Sequence, residues 1–189
     1  MRCSPLILFL LCAAGATCAT SPAPQLVRPL DGAGQLVLVT VADWQADTGI
    51  LRRFERIDGR WSAVAEPYAV TVGRNGTAWG LGLQQPQIDG PQKHEGDGKA
   101  PAGVFAIGIA FGSPPAIDSG LRYRAMDASD WCIDVSGSPY YNRIVSTGDV
   151  GEDAVKGSTE PMRRDIHLDG DPLYRKGFII GHNSGNSPG

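Results

Sequence analysis

The chain has 189 residues, of which 42% are apolar and 20% are charged, and this composition is typical of a globular protein rather than a disordered one. Its 17 basic and 20 acidic residues give a net charge of −3, which argues against a general nucleic-acid binder because such proteins present a basic face. The 25 glycines and 14 prolines disfavour long helices and favour short strands joined by many turns.

The N-terminal residues, Met1–Ala19, have the parts of a secretory signal. Arg2 supplies the positive charge, Pro5–Ala14 is an apolar segment too short to span a membrane, and small residues follow for cleavage near the end. The alternative is a lipoprotein signal acylated at Cys18. We therefore expect an exported protein of the periplasm or cell envelope, and no later apolar run has the length of a transmembrane helix.

Removal of the signal leaves a single cysteine, because the other three are Cys3, Cys12 and Cys18. The remaining residue, Cys132, cannot form an internal disulfide, so it is buried, reactive or paired between molecules. Its neighbours Trp131 and Ile133 are apolar, and an apolar environment raises the pKa of a thiol. We therefore expect Cys132 to be a buried structural residue.

The first half of the mature chain predicts a linker followed by a meander of strands. Thr20–Gly34 is rich in Pro, Ala and Gly and is predicted to be a flexible linker. The continuous apolar run Gln35–Val41 predicts a central, buried strand. A second strand is predicted at Gly49–Ile57, the pair Asp58-Gly59 favours a hairpin turn, and Pro67 opens a third strand.

The second half is dominated by a polar, glycine-rich loop that leads into an apolar strand. The loop begins at Lys93, and Pro101 lacks the N–H that a strand ladder uses, so a strand is expected only after it, at Val104–Phe111. Further strands are predicted at Leu121–Met126, Asp130–Val135 and, buried, Leu173–Gly181, with one short helix from Ser158 or Thr159 to Asp165. The predicted fold is mostly β with one short helix.

Four motifs resemble those of a known family of enzymes, and they agree with it in their order and spacing along the chain. They are K-x-E-G-D-G-x-x-P-A-G-x-F at Lys93–Phe105, VGRNG-AWG at Val72–Gly80, SPYYN at Ser138–Asn142, and an apolar strand that ends in His182 and Asn183. Together they resemble the L,D-transpeptidase superfamily, the YkuD-type enzymes of peptidoglycan. The resemblance covers Gln35–Gly189, nearly the whole of the mature chain.

The resemblance implies a fold, an activity and a partner. The fold would be the β sandwich or half-barrel of the L,D-transpeptidases. In the complete enzyme, a cysteine thiolate attacks a peptidoglycan stem peptide, and the amine of a second stem resolves the acyl-enzyme. The implied partners are therefore stem peptides, and neither a metal nor an organic cofactor is needed. A backbone oxyanion site would stabilise the intermediate.

The resemblance also implies where the substrate-binding residues lie. They come from three segments far apart in sequence: His94, Gly96, Asp97 and Gly98 in the loop, Tyr141 and Asn142 in SPYYN, and His182 and Asn183 after the last strand. Polar loops that carry function lie at the ends of buried strands. We therefore expect the three segments to converge on one cleft, beside an edge with exposed apolar surface.

The sequence departs from the family at the nucleophile. The family's histidine and cysteine lie near the C-terminus, in a stretch of the form Ser/Thr-x-Gly-Cys, and no such stretch occurs in this sequence. We therefore expect the catalytic motif to lie beyond Gly189, so that the domain from Gln35 is incomplete and the chain as given is inactive in acyl transfer. No catalytic residue is assigned.

Two alternatives of other classes stay open. One is a non-catalytic module that binds the cell wall. The other is a papain-like cysteine hydrolase built on Cys132 and His182. For His182 itself, a role in orienting groups behind the active site and a purely structural role at a strand end are both open.

Overall fold

The computed structural model of the protein describes residues 28–185, and the signal sequence predicted at Met1–Ala19 lies outside this part of the chain. The fold is mostly β, with several small sheets and only short helices, as the composition predicts. Instead of one short helix, the described chain has α1 (Thr147–Val150), α2 (Arg164–His167) and a 3₁₀ turn (Glu152–Val155). Within the described residues, every helix is too short or insufficiently apolar to traverse a bilayer.

Twelve short strands make up the described sheets. In chain order they are β1 (Gln35–Val41), β2 (Thr48–Ile57), β3 (Arg60–Ala63), β4 (Tyr68–Thr71), β5 (Thr77–Trp79), β6 (Ala100–Ala102), β7 (Ile107–Gly112), β8 (Tyr123–Ala125), β9 (Asp130–Cys132), β10 (Ile144–Ser146), β11 (Glu160–Pro161) and β12 (Lys176–Ile180). They form one four-stranded sheet, two three-stranded sheets and one pair.

The four-stranded sheet is built around β2. Strand β1 pairs with β2 along its whole length, and β3 and β4 pair with its other edge. The predicted turn between β2 and β3 is confirmed: Asp58 and Gly59 both have positive φ, 49° and 77°, which a two-residue hairpin loop requires. Strand β4 pairs with β2 rather than continuing the meander beyond β3.

The prediction that Gln35–Val41 is a central, buried strand is wrong. This segment is β1, an edge strand, and none of its residues is buried. A continuous apolar run is typical of a strand covered on both faces. In the described chain, none of the residues of β1–β4 is buried, so the apolar residues of this sheet stay partly exposed.

The predicted linker is partly described. Its residues 28–34 form turns, and the Gly34 carbonyl accepts a hydrogen bond from the Arg56 N–H at 2.8 Å. The Arg56 side chain donates a second bond to the Leu30 carbonyl at 3.2 Å. The end of the linker is therefore attached to β2, while Thr20 to Val27 lie outside the described residues.

Pro101 lies within a strand, although we expected a strand only after it. It is the middle residue of β6, which pairs in parallel with β5. In a parallel pair, alternate residues of each strand bond to the partner. Here the Ala100 N–H and the Ala102 carbonyl make those bonds, so the missing N–H of Pro101 removes nothing from the ladder.

The strand predicted at Val104–Phe111 forms the centre of a second sheet, although it begins later, as β7. It pairs in parallel with β8 and antiparallel with β12. The last strand, predicted as buried over Leu173–Gly181, is the shorter β12 at the edge of this sheet, and Phe178 is 43% exposed. The prediction of burial is wrong because β12 pairs with β7 only, among the described strands.

The helix predicted from Ser158 or Thr159 to Asp165 does not form. Instead, β11 pairs with β9, and the helical turn α2 begins only at Arg164. The Asp134 carboxylate accepts hydrogen bonds from the Ser158 and Thr159 hydroxyls and from the Thr159 N–H. These residues, which often cap helices, are thus bonded across to a neighbouring segment and hold the chain extended.

The largest apolar cluster joins the second sheet to the β9 sheet. Its buried members are Phe111, Met126 and Met162, with Cys132, Ile144 and Tyr174 packed around them. Fully buried apolar side chains are few in the described chain, so each contributes a large share of the core.

Substitution of Met162 tests the assignment of this core. It is 2% exposed, and Met162→Ala is expected to lower the free energy of unfolding by about 2–4 kcal/mol, because it removes buried surface and leaves a cavity. Urea unfolding followed by circular dichroism measures the change. Leu173→Ala, at a residue 60% exposed, is the control and is expected to change it by less than about 0.5 kcal/mol. Equal effects of the two substitutions would contradict the assigned core.

Candidate functional site

The three segments expected to converge do so. The Tyr141 hydroxyl donates a hydrogen bond to Glu95 Oε2 at 2.7 Å, which joins SPYYN to the glycine-rich loop across 46 positions of sequence. The Asn142 side chain donates to the Asn183 carbonyl at 2.9 Å, across 41 positions. SPYYN therefore lies between the loop and the end of β12 and is bonded to both.

Asp97 organises the glycine-rich loop. Its carboxylate accepts hydrogen bonds from Lys93 Nζ at 2.7 Å, from the His94 N–H at 2.9 Å and from the Lys99 N–H at 2.8 Å. Partial burial would raise the pKa of Asp97, but these donors outweigh it and lower the pKa to about 2. The carboxylate thus stays charged and fixes the loop from within.

The loop is also attached to the preceding turn. The Asn75 side chain donates to the Asp97 carbonyl at 2.8 Å, the Asn75 N–H donates to the Gly98 carbonyl at 3.0 Å, and Lys99 Nζ donates to the Asn75 carbonyl at 2.6 Å. Gly98 has a φ of 68°, and a Cβ there would lie 2.7 Å from Asn75 Nδ2. Only glycine fits this contact.

The loop residues predicted to bind substrate divide into two groups. His94 is exposed to solvent and is available to a ligand. Gly96, Asp97 and Gly98 determine the course of the loop, because both glycines have positive φ, 73° and 68°, and Asp97 accepts the hydrogen bonds within it. The structure therefore gives Asp97 and Gly98 a positioning part in the loop.

His182 lies at the end of β12, against the loop after β5. Its ring meets Phe105 edge to face with 5.8 Å between centroids, and its buried Nδ1 has no hydrogen-bond partner among the described residues. A Cβ at Gly80 would lie 2.9 Å from that nitrogen, so glycine is needed there. Burial, and then the charge of Lys93, lower the pKa of His182, which makes the neutral imidazole the dominant form at neutral pH.

An open cleft of about 290 Å³ lies beside these residues. Most of its lining is apolar and comes from Pro101, Phe111, Ile144, Met162, Phe178 and Ile180. The groups that can form polar contacts are Cys132, Asn142, Tyr174 and His182. A mainly apolar cleft with a few polar groups is typical of a binding site for a small organic or peptide ligand.

The edge strand β12 contributes apolar residues to the cleft. Phe178, Ile179 and Ile180 are consecutive, and all three line it. Phe178 and Ile180 are 43% and 38% exposed, and β12 has no second partner among the described strands. This is the exposed apolar edge that the sequence predicts beside the site.

The environment of Cys132 keeps its thiol protonated. Burial and then the carboxylates of Glu160, Asp134 and Glu95 raise the pKa of Cys132 to about 11. Nearby carboxylates disfavour a further negative charge. At neutral pH, therefore, Cys132 contributes to the cleft as an apolar thiol, as its neighbours in sequence predict.

Two tyrosine–carboxylate pairs lie near the cleft, and Tyr141 is the only one of their four members that the sequence predicts as a site residue. Tyr141 donates to Glu95, and burial and this carboxylate raise the pKa of Tyr141 to about 12. Tyr174 donates to Glu160, and its pKa is raised by the same two causes. Neither pair has a characteristic spacing in sequence, since their members are 46 and 14 positions apart.

No group of three or more histidine, cysteine and carboxylate side chains suited to a metal ion occurs in the described part of the chain. Comparisons of the chain with protein-family models, with curated proteins and with solved structures find no match. The site must therefore be interpreted from its own geometry and from the resemblance of its motifs.

The Asp97 hydrogen bonds predict a pH-dependent stability. A depressed pKa means that the stabilisation is complete above the ordinary value of 3.8 and is lost as the pH falls towards 2. Asp97→Asn is expected to lower the free energy of unfolding at neutral pH by about 2 kcal/mol. The difference between variant and native protein should shrink as the pH falls below 3.8.

Urea unfolding at a series of pH values measures this difference. Asp118→Asn, at an exposed residue of another loop, is the matched control and is expected to have little effect at any pH. A destabilisation by Asp97→Asn that is independent of pH would show that the carboxylate charge does not hold the loop.

Proposed function

We propose that the protein is an exported, peptidoglycan-directed member of the L,D-transpeptidase superfamily, and that its cleft binds peptide stems. The observation that carries this proposal is that hydrogen bonds join the glycine-rich loop to SPYYN and SPYYN to the end of β12, beside a cleft that Asn142 and His182 line. These are the segments on which the sequence resemblance rests. The mostly β architecture is compatible with the sandwich or half-barrel of that superfamily.

The cleft has the chemical features that a stem peptide needs. Stem peptides are short and rich in alanine, and their methyl groups gain from burial against Phe178 and Ile180. The Asn142 side chain lines the cleft and places a polar group among its apolar residues. The charges of Glu160, Asp134 and Glu95 all act on the Cys132 thiol, which lines the cleft, so they would stabilise a cationic ammonium there.

The described residues supply binding rather than acyl transfer. Cysteine acyl transfer needs a thiolate, and with a pKa of about 11 only about one Cys132 side chain in 10⁴ is ionised at neutral pH. The neutral His182 lines the same cleft. However, the three carboxylates near the sulfur disfavour the thiolate that would form if His182 removed the proton of Cys132. The chain therefore acts as a stem-peptide-binding module, and catalysis by Cys132 forms no part of the proposal.

The test is binding of a disaccharide tetrapeptide from peptidoglycan, measured by calorimetry. Phe178→Ser removes an apolar residue that lines the cleft and is expected to weaken binding about tenfold. Ile57→Ser, at a residue 53% exposed on the four-stranded sheet, is the control and is expected to leave binding unchanged. Failure of the native protein to bind the tetrapeptide, or equal effects of the two substitutions, would refute the proposal.

One observation favours a second candidate, a cysteine hydrolase: Cys132, Asn142 and His182 line the same cleft. Alkylation by iodoacetamide separates the two functions. The raised pKa predicts that Cys132 in the folded protein reacts at neutral pH roughly 10- to 100-fold more slowly than in the unfolded protein. Faster alkylation in the folded state, or peptide cleavage abolished by Cys132→Ser, would instead establish the hydrolase.

A further inference from the structure

One face of the four-stranded sheet combines apolar side chains with two arginines. Residues directly opposite each other in an antiparallel pair share a face. The pairs Leu36 with Phe54, Leu38 with Arg52, and Arg56 with Trp61 therefore lie on the same side. We call this side, defined by those six residues, the arginine face.

The arginine face is only partly covered in the described chain. None of the residues of β1–β4 is buried, and Leu38 is 39% exposed. The turn at residues 28–34 covers the end at Arg56, whose side chain donates to the Leu30 carbonyl and whose Nε is buried. The exposed apolar side chain beside two arginines makes the remainder of the face a candidate interaction site.

The charge of this face is positive and uncompensated. Arg52 donates to the Thr40 hydroxyl at 3.1 Å, and the Arg56 guanidinium lies 4.7 Å from the centre of the Trp61 ring. Neither arginine makes an ion pair with a described carboxylate. Strands β1–β4 place no Asp or Glu on this side, because Glu55 points to the opposite face.

We propose that the arginine face docks on an anionic phospholipid surface. A second copy of the chain is a poor occupant, because two such faces together would oppose four guanidinium groups with no carboxylate between them. A bilayer surface offers both features that the face needs: phosphate groups for Arg52 and Arg56, and an apolar boundary for Leu38 and Trp61. The attachment is peripheral and independent of the cleft.

The experiment is sedimentation of the full chain with vesicles of phosphatidylcholine, with or without phosphatidylglycerol. We expect binding only when phosphatidylglycerol is present, and weaker binding as salt is raised. The double substitution R52Q/R56Q is expected to lower the affinity about 30-fold. R53Q, next in sequence to Arg52 but on the opposite face, is the matched control and should change it less than about twofold.

A second matched pair tests the apolar part of the face. Leu38 and Val39 are adjacent, 39% and 41% exposed, and on opposite faces. Leu38→Gln is expected to weaken vesicle binding several-fold, and Val39→Gln to leave it unchanged. Because Arg56 also stabilises the turn at Leu30, thermal unfolding is measured for each variant. If R52Q/R56Q unfolds, R52Q alone and Leu38→Gln decide the question.

Three outcomes would overturn the proposal. The first is no sedimentation of the native protein with phosphatidylglycerol vesicles. The second is an equal loss of binding for R52Q and R53Q, or for the two glutamine substitutions at Leu38 and Val39. The third is a stable dimer in analytical ultracentrifugation that Leu38→Gln dissociates, which would assign the face to a second copy. None of these outcomes bears on tetrapeptide binding in the cleft, so the two proposals are tested separately.

Discussion

The carboxylate of Asp97 is the interaction on which the candidate site depends. It accepts hydrogen bonds from three donors of its own loop and so sets the course of the backbone from Lys93 to Lys99. That backbone carries Glu95, which receives the Tyr141 hydroxyl, and Tyr141 precedes the residue that bonds to the end of β12. One charged group, shielded from most of the solvent, thus holds three distant segments in register.

The second constraint on the site is electrostatic. Burial raises the pKa of Cys132, and the charges of Glu160, Asp134 and Glu95 raise it further. A reactive cysteine needs a positive or strongly polar environment, which this arrangement does not provide. The same carboxylates suit a cleft that receives a cationic ligand without forming a covalent bond to it. These carboxylates therefore favour the binding of a cation and disfavour the thiolate that a nucleophilic cysteine needs.

Much of the local structure follows from the sequence, whereas the packing does not. The Asp58-Gly59 turn and the loop with Gly98 form as predicted because glycine determines backbone conformation locally. The burial of β1 and β12 was predicted incorrectly, since an apolar run does not reveal whether another layer covers it. Likewise, Ser158 and Thr159 were predicted to cap a helix, because the sequence does not reveal that they donate hydrogen bonds to the distant Asp134. The tyrosine–glutamate pairs could not be predicted, because no spacing connects their members.

The position of β12 at the edge of its sheet has a consequence for aggregation between chains. An apolar edge strand offers unpaired backbone groups to any other chain, and such edges promote aggregation. Two features oppose this here. Lys176 begins the strand with a charge, and the register shifts between Phe178 and Ile180, so that one residue of β12 faces two of β7. Such a bulge increases the local twist and works against flat stacking of edges. Association between edges is therefore opposed by an irregularity in a hydrogen-bonded ladder as well as by a charged side chain.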